Sequence, residues 1–292
     1  MSSTLTQSFQ QLFGAQHPLW ACEFTARQIV LAGVDRKRVR IQGQTAADLP
    51  EGVDLQHPDS LREVVERSLR DASFKGSDIA VVIPDDAARI AFVTTDTLPK
   101  TLVEQQTFLR WKLKKSVPFD VDTAQIAFRI LGNRKPSGYD IAVALSPRNI
   151  IEGYEALMEE FDIQAGLVLP STLAALGLMK VPEEDTLFVK IAPDCVTTSV
   201  FQKKQMTFYR RVAELGLYES VYPTVLYYQD KLGGTTFSQL IVCAYNAGSA
   251  RIAVAELAEK IGIPTHPLEP RNVDDIFKPA LGAVHLSWAN LI

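Results

Sequence analysis

Short alternating runs of hydrophobic and polar residues open the chain, and the same arrangement returns further along. Leu19–Gln42 and Thr186–Tyr209, which start 167 residues apart, both predict three short strands joined by tight turns. The turn Asp35–Arg38 aligns with Gln202–Gln205 without a gap. This repeat predicts two similar α/β halves, and folds built from two such halves usually bind their ligand in the cleft between them.

Longer apolar patterns after each repeat predict helices and buried strands. Ser77–Ile83 is nearly all apolar, which is typical of a strand covered on both faces of a parallel or mixed sheet. Further strands are predicted at 164–169, 239–244 and 264–268. The predicted helices span residues 59–71, 100–115, 147–161, 170–179, 213–232, 248–261 and 277–289.

One segment interrupts this plan. Between residues 91 and 145, three strand-like runs accompany the helix at 100–115, which predicts a small inserted α+β subdomain. Val181–Asp185 is predicted to be a hinge linker between the two halves. The predicted organisation is a tail at 1–17, a first domain at 18–90 and 146–180, the insertion at 91–145, and a second domain at 185–292.

The composition is that of an ordinary soluble protein. The chain has 292 residues, of which 47% are hydrophobic and 22% charged, and this length is comfortable for two domains. A net charge of −4 predicts no overall attraction to nucleic acid or to an anionic membrane, although basic residues cluster at Arg110–Lys115. The first residues lack a charged segment followed by an apolar run, so we expect a cytoplasmic protein.

Patterns typical of common enzymes are missing from the sequence. It contains no GxGxxG, GxxxxGKS/T, GxSxG or HExxH. The acid pairs Asp85–Asp86 and Asp274–Asp275 favour turn or helix-cap roles over catalysis, because adjacent side chains point apart. Cys22, Cys195 and Cys243 show no metal-binding spacing, so we predict buried thiols in a reducing compartment and no metal site.

The order of elements resembles the duplicated ribonuclease-H-like fold shared by actin, hexose kinases and Hsp70 ATPase domains. Within that superfamily, three segments resemble the PilM proteins of type IV pilus assembly, which are themselves similar to FtsA. These segments are QLFGAQHPLWACEFTARQIVLAGV at Gln11–Val34, LRWKLKKSVPFDVDTAQIAFRILG at Leu109–Gly132, and FKPALGAVHL at Phe277–Leu286. The resemblance implies an α/β actin-like ATPase fold made of two ribonuclease-H-like domains, with the insertion in the first.

Members of this superfamily that bind ATP hold its phosphates with two hairpins of the form Asp-Ile-Gly. Glycine lets the backbone approach the phosphates and aim its N–H groups at them, while the Asp organises Mg²⁺. In this chain Glu23 replaces the first acid and Thr25 the first glycine. In the second hairpin Lys190 replaces the acid and Ala192 the glycine, and Pro193 has no N–H to donate.

These departures predict a degenerate nucleotide site. Its positions also include Asp194 in the second hairpin and the adenosine-side loop. That loop carries Tyr245 and Asn246 where the family has glycines, and Tyr245 is predicted to fill the space of adenine. We therefore expect a pseudo-ATPase without a cofactor, in which Lys190 forms a salt bridge with Glu23 or Asp194. The alternative is an active ATPase in which Lys190 meets a phosphate and Glu23 holds the magnesium of Mg-ATP.

The resemblance also implies a partner. PilM proteins hold the short cytoplasmic tail of a PilN-like inner-membrane protein in the groove between the first main subdomain and the insertion. We predict that Arg110 and Lys114, at i and i+4 on one helix face, and Trp111 contribute to this groove. The alternative is a solvated basic face with Trp111 in the core. Phe119, which follows Pro118, is predicted to be core.

The predicted function is a cytoplasmic, non-catalytic PilM-like scaffold of a pilus or related secretion platform. It would lie at the inner membrane only through its partner, with the pilus motor or other platform proteins as possible further contacts and no nucleic acid. Two alternatives remain open. One is an active actin-like ATPase, and the other is the cytoplasmic part of a GspL-like type II secretion protein, whose chain would normally continue into a transmembrane helix.

Overall fold

The computed structural model describes residues 18–37, 40–55, 58–133, 138–213 and 216–285. The predicted tail at 1–17 lies outside these ranges. The first sheet has the strand order β3-β2-β1-β4-β8. Its strands are β1 (Trp20–Phe24), β2 (Gln28–Val34), β3 (Ile41–Asp48), β4 (Asp78–Ile83) and β8 (Gln164–Pro170). The central strands β1 and β4 are parallel neighbours and almost wholly buried, as the nearly all-apolar sequence of 77–83 predicts for β4.

The second sheet repeats the first. Its order is β11-β10-β9-β12-β13, so each strand has an equivalent in the first sheet. The strands are β9 (Thr186–Ile191), β10 (Cys195–Gln202), β11 (Gln205–Ala213), β12 (Gln239–Ala244) and β13 (Thr265–Pro267). The three-stranded meander predicted from the 167-residue repeat is confirmed in both halves, and Glu23 and Lys190 occupy equivalent positions of β1 and β9.

The insertion forms its own antiparallel sheet of three strands in the order β5-β7-β6. These are β5 (Arg89–Thr95), β6 (Gln125–Asn133) and β7 (Tyr139–Ser146), and helix α2 (Leu102–Leu113) covers one face. Thr101 and Glu104 form a reciprocal capping box at the start of α2. Because side chains alternate along β7, Ile141 packs with Leu109 of α2, whereas Ala142 joins the core that includes Leu167 of β8.

The remaining helices flank the two five-stranded sheets. They are α1 (Arg62–Asp71), α3 (Arg148–Glu159), α4 (Ser171–Leu176), α5 (Leu217–Asp230), α6 (Ala247–Ile261) and α7 (Lys278–His285). The helix predicted from residue 213 begins later because β11 continues to Ala213, which pairs with Cys195. The three cysteines are free and buried, as predicted. No helix in the described ranges is long and apolar enough to cross a membrane.

Helices α4 and α7 join the two lobes, which are defined here as the parts built on the first and second sheets. Side chains of both helices share one core with Ala21 of β1 and Phe188 of β9. The helices touch at Gly177 and Gly282, where a Cβ atom on Gly282 would collide with the carbonyl oxygen of Ala174. Beyond Leu176 the chain continues in tighter i to i−3 turns instead of the α-helix predicted to residue 179.

Candidate functional site: the interlobe cleft and the insertion groove

The interlobe cleft lies between the turn after β1 and the turn after β9, and a buried ion pair fills its centre. Glu23 is 2% and Lys190 5% exposed, and Lys190 Nζ lies 3.9 Å from Glu23 Oε1. The hydroxyl of Ser171, the first residue of α4, donates a short hydrogen bond to the same oxygen. The salt bridge predicted between Lys190 and Glu23 is therefore present.

Burial and charge act against each other in this pair. Burial raises the pKa of Glu23, while Lys190 and the Ser171 hydroxyl act to lower it. Burial alone would lower the pKa of Lys190, but the carboxylates of Glu23 and Asp85 outweigh it, so that this pKa is raised. Lys190 is therefore the direct ionic partner of the Glu23 carboxylate in the folded protein.

Asp85 forms a second buried contact between the lobes. Its Oδ1 accepts a hydrogen bond from the backbone N–H of Thr172 at 2.8 Å, and its Oδ2 accepts one from the Thr172 hydroxyl at 2.5 Å. The hydroxyl of Thr197, which belongs to β10, donates to Oδ2 at 3.1 Å. Asp85 thus joins the start of α4 to the second lobe through partners 87 and 112 residues away, which is a long-range contact and not the local helix cap predicted for this acid pair.

Arg211 of β11 closes the rim of the cleft. Its Nη2 lies 3.1 Å from Asp194 in the second turn and 4.0 Å from Asp86 in the first lobe. Asp194 is therefore paired with Arg211, and the alternative partner predicted for Lys190 is wrong. Because this cluster is partly exposed, salt screens it more than the buried pair at the centre.

The turn after β1 uses its backbone N–H groups internally. The hydroxyl of Thr25, which stands at the glycine position, accepts hydrogen bonds from the backbone N–H of Arg27 at 3.3 Å and of Gln28 at 2.9 Å. The N–H of Thr25 itself donates to the carbonyl of Gln28 at 2.9 Å. A phosphate would have to compete with these bonds for the donors of this turn.

Backbone N–H groups in the turn after β9 and at the loop after β12 are likewise engaged in hydrogen bonds within the protein. The N–H of Ala192 donates to the carbonyl of Cys195 at 2.9 Å, and the next residue, Pro193, has no N–H. Asn246 caps helix α6 by accepting from the N–H of Ser249 at 2.8 Å, and Tyr245 beside it is half-buried. Within the described ranges, no group of three or more His, Cys, Asp or Glu side chains could hold a metal ion.

A second candidate site is the insertion groove, which runs between β8 of the first lobe and β6 and β7 of the insertion. It encloses a cavity of about 150 Å³ with a mainly apolar lining. Small side chains, including Ala127, Ala144 and Gly166, leave this space open, and Glu155 of α3 contributes a carboxylate. Burial and the neighbouring Glu152 and Glu159 raise the pKa of Glu155, while Arg148 lowers it in part. A cationic ligand group would be stabilised there.

The three residues predicted for this groove lie elsewhere, since none of them lines the cavity. Arg110 donates from Nε to the carbonyl of Val121 at 3.0 Å and from Nη2 to that of Ala124 at 2.8 Å. Lys114 pairs with Asp122 at 2.7 Å. Trp111 is 69% exposed, so its alternative placement in the core is wrong. The helical spacing correctly put Arg110 and Lys114 on one helical segment, but it could not show on which side of the insertion the groove lies.

The residues that do line the groove carry a weak signal in the sequence. Ala142, Ala144 and Ser146 alternate along β7 with larger side chains, so that one face of this strand is made of small residues. A sheet face of small residues allows another chain to approach closely. Phe119, in contrast, packs against the core of the insertion, as predicted.

Comparison with known proteins shows the fold. No family model and no curated protein matches the sequence. A chain of the solved "PilM-PilN type IV pilus biogenesis complex" is 14% identical with a TM-score of 0.75, covering 96% of this chain and 100% of that chain. A protein of unknown function with an actin-like ATPase fold from Bacteroides thetaiotaomicron is 9% identical with a TM-score of 0.58, covering 95% and 98%. The ethanolamine utilization protein EutJ from Carboxydothermus hydrogenoformans is 12% identical with a TM-score of 0.53, covering 97% and 98%. The predicted actin-like fold is therefore confirmed.

Proposed function

We propose that this chain is a PilM-like scaffold of the inner-membrane platform of a type IV pilus or a related secretion system. In this proposal the insertion groove holds the N-terminal cytoplasmic tail of a PilN-like membrane protein. The observation that carries the proposal is an open apolar groove at the boundary of the first lobe and the insertion, in a fold that matches a chain of the PilM–PilN complex over its whole length. The protein would act in the cytoplasm, at the inner membrane.

The groove suits an extended peptide for two reasons. Strand β8 pairs with β4 on one side, and β6 pairs with β7, so each is an outer strand of its sheet within the described residues. An extended segment can add to such an edge by backbone hydrogen bonds and place alternate side chains in apolar pockets. Glu155 provides one charged contact in the same groove, and we expect it to pair with a Lys or Arg of the tail.

We further propose that the interlobe cleft does not hydrolyse ATP. Three features support this: the buried Glu23–Lys190 pair, the Thr25 hydroxyl that engages the donors of the first turn, and Pro193 in the second. A side chain such as Lys190 cannot restore the backbone donor that is lost at Pro193. In this proposal the side chains of the cleft hold the two lobes together without a nucleotide.

The proposal is tested with a fluorescent peptide that corresponds to the tail of the PilN-like protein from the same genome. Saturable binding is expected in fluorescence anisotropy, and Ala144→Trp should weaken it at least tenfold by filling the groove. Glu155→Gln should weaken it by about fivefold if a cation of the tail lies beside this carboxylate.

Ala46→Trp serves as the matched control, because Ala46 is exposed on β3 of the first lobe, at the far edge of that sheet from β8. This variant should bind the peptide like the unmodified protein. Equal affinity of the Ala144→Trp and Ala46→Trp variants would contradict binding in the groove. A tail that binds only in the presence of Mg-ATP would instead favour the active-ATPase alternative.

A further inference from the structure

Helix α2 of the insertion carries an exposed tryptophan beside a second aromatic ring on one face. Trp111 is 69% exposed. Its ring centre lies 6.2 Å from that of Phe108, which is three residues earlier on the same side of the helix. Tryptophan is enriched where a protein meets a partner or a lipid headgroup layer, because one end of the ring is apolar and the other can stay in contact with water.

The same face is strongly basic. Lys112, Lys114 and Lys115 are all exposed and surround Trp111, whereas the whole chain carries a net charge of −4. The Nζ atom of Lys112 lies 5.6 Å from the ring centre of Phe108 and 5.9 Å from that of Trp111. Cations and aromatic rings are thus interleaved on one surface, with an attractive contact between them.

The acidic residues nearby do not neutralise this surface. Glu104 is engaged in the capping box with Thr101 at the far end of the helix. Asp122 pairs with Lys114 and Asp120 lies near the same lysine, and both carboxylates are exposed, where ion pairs contribute little. Lys112 and Lys115 therefore keep their charges available to an anionic partner.

The face is also held firmly in position. Leu109 and Leu113 on the opposite side of α2 are buried in the core of the insertion, so the helix cannot turn Trp111 inward. Arg110 fastens the helix to the following loop through the carbonyls of Val121 and Ala124. A binding surface that is already ordered loses little conformational entropy on association.

We infer that this face, formed by Trp111 and Lys112 of α2 and by Lys115 just after the helix, docks directly on an anionic lipid surface. Tryptophan is favoured at the boundary between lipid headgroups and acyl chains, and lysines beside it reach the lipid phosphates. The face is an outward helical surface, whereas the insertion groove lies beside the other face of the β5-β7-β6 sheet. Lipid docking therefore leaves the groove free and does not depend on the proposed tail.

The test is co-sedimentation of the full chain with vesicles of phosphatidylglycerol and phosphatidylethanolamine, and with phosphatidylcholine vesicles for comparison. Binding is expected to the anionic vesicles only and to weaken at high salt. The double variant Lys112→Glu/Lys115→Glu should lower the partition coefficient at least about 25-fold, since each lysine near an anionic surface contributes about fivefold. The Trp111→Phe variant should lose the blue shift of tryptophan emission that the vesicles produce.

Two controls keep this test specific. Lys203→Glu/Lys231→Glu changes the net charge by the same amount at exposed positions of the second lobe, and Ile252→Ala removes a 67% exposed side chain from α6. Both variants should bind the vesicles like the unmodified protein. Equal loss in the two charge-reversed variants would overturn the proposal, and so would a polyglutamate peptide that binds this face while the vesicles do not, because it would indicate an acidic protein partner.

Discussion

Lys190 occupies in β9 the position that Glu23 occupies in β1, and the two side chains meet between the lobes. The two hairpins of the resemblance predicted Glu23 or Asp194 as the partner of Lys190, because residues at equivalent positions of a duplicated fold face the same cleft, and the structure shows Glu23. The sequence could not predict the Ser171 hydroxyl on the same carboxylate, or Asp85 on Thr197, since these contacts join elements without repeat or local spacing.

Removing one partner of the Glu23–Lys190 pair is expected to destabilise the protein. Lys190→Ala leaves Glu23 buried without its cation, which should lower the free energy of unfolding by about 3 kcal/mol in urea denaturation at neutral pH. The double variant Glu23→Gln/Lys190→Met removes both charges and should lose clearly less. Equal losses would contradict a direct interaction between the two side chains.

The same pair predicts how the stability of the Lys190→Ala variant depends on pH. Without Lys190, burial raises the pKa of Glu23 further above its unfolded value of about 4.3, so the folded variant takes up a proton more readily than the unfolded chain. A carboxyl group whose pKa is raised by folding contributes stability below its unfolded-state pKa, and this contribution is lost as the pH rises through its folded-state pKa. The deficit of Lys190→Ala should therefore shrink as the pH falls from 7 towards 5, whereas that of Glu23→Gln/Lys190→Met should not.

At the scale of single elements, helix α2 shows where sequence patterns succeed and fail. Its existence follows from the pattern, and the capping box at Thr101 and Glu104 marks its start. The roles of its polar residues do not follow, because the groove was expected from resemblance and the i, i+4 spacing only put Arg110 and Lys114 on one helix face. The structure instead turns Arg110 towards the loop at 121–124 and leaves Trp111 in solvent.

Substitutions of the neighbouring residues Arg110 and Trp111 are expected to differ in how much they lower the free energy of unfolding. Arg110→Ala removes two hydrogen bonds to backbone carbonyls and should lower the free energy of unfolding by about 2 kcal/mol in urea denaturation. Trp111→Ala removes an exposed ring and should change it by less than about 0.5 kcal/mol. Arg110→Lys should recover only part of the loss, because lysine lacks the paired donors of the guanidinium group. A larger loss for Trp111→Ala than for Arg110→Ala would contradict these assignments.

The crossing of α4 and α7 gives a further prediction for an element contact. Gly282→Ala places a methyl group against the carbonyl of Ala174, so the helices must separate, and the unfolding free energy should fall by about 2 kcal/mol or more. Gly76→Ala is the control, because its added methyl meets the end of the Phe74 ring at 3.3 Å and the Asp78 carbonyl oxygen at an ordinary contact distance of 3.6 Å. A Gly282→Ala variant as stable as Gly76→Ala would show that the two helices do not cross this closely.

For the molecule as a whole, the repeat predicted two lobes of equal plan, and the strand orders confirm it. The ends of the helices were harder to predict from the sequence. Helix α4 gives way to tighter turns against Gly282, and α5 begins only after β11 has completed its pairing. The groove was expected from resemblance alone. Its lining could not be predicted because it brings β8 and β7 together across the boundary of two sheets.

A cleft closed by its own side chains leaves the groove able to bind a peptide without nucleotide. This is best examined by a calorimetric titration of the PilN-like tail peptide, in nucleotide-free buffer and again with millimolar Mg-ATP. We expect the same saturable binding in both buffers and no heat from Mg-ATP alone. Tail binding that requires Mg-ATP, or saturable ATP binding that Lys190→Ala weakens, would show instead that the cleft works through a nucleotide.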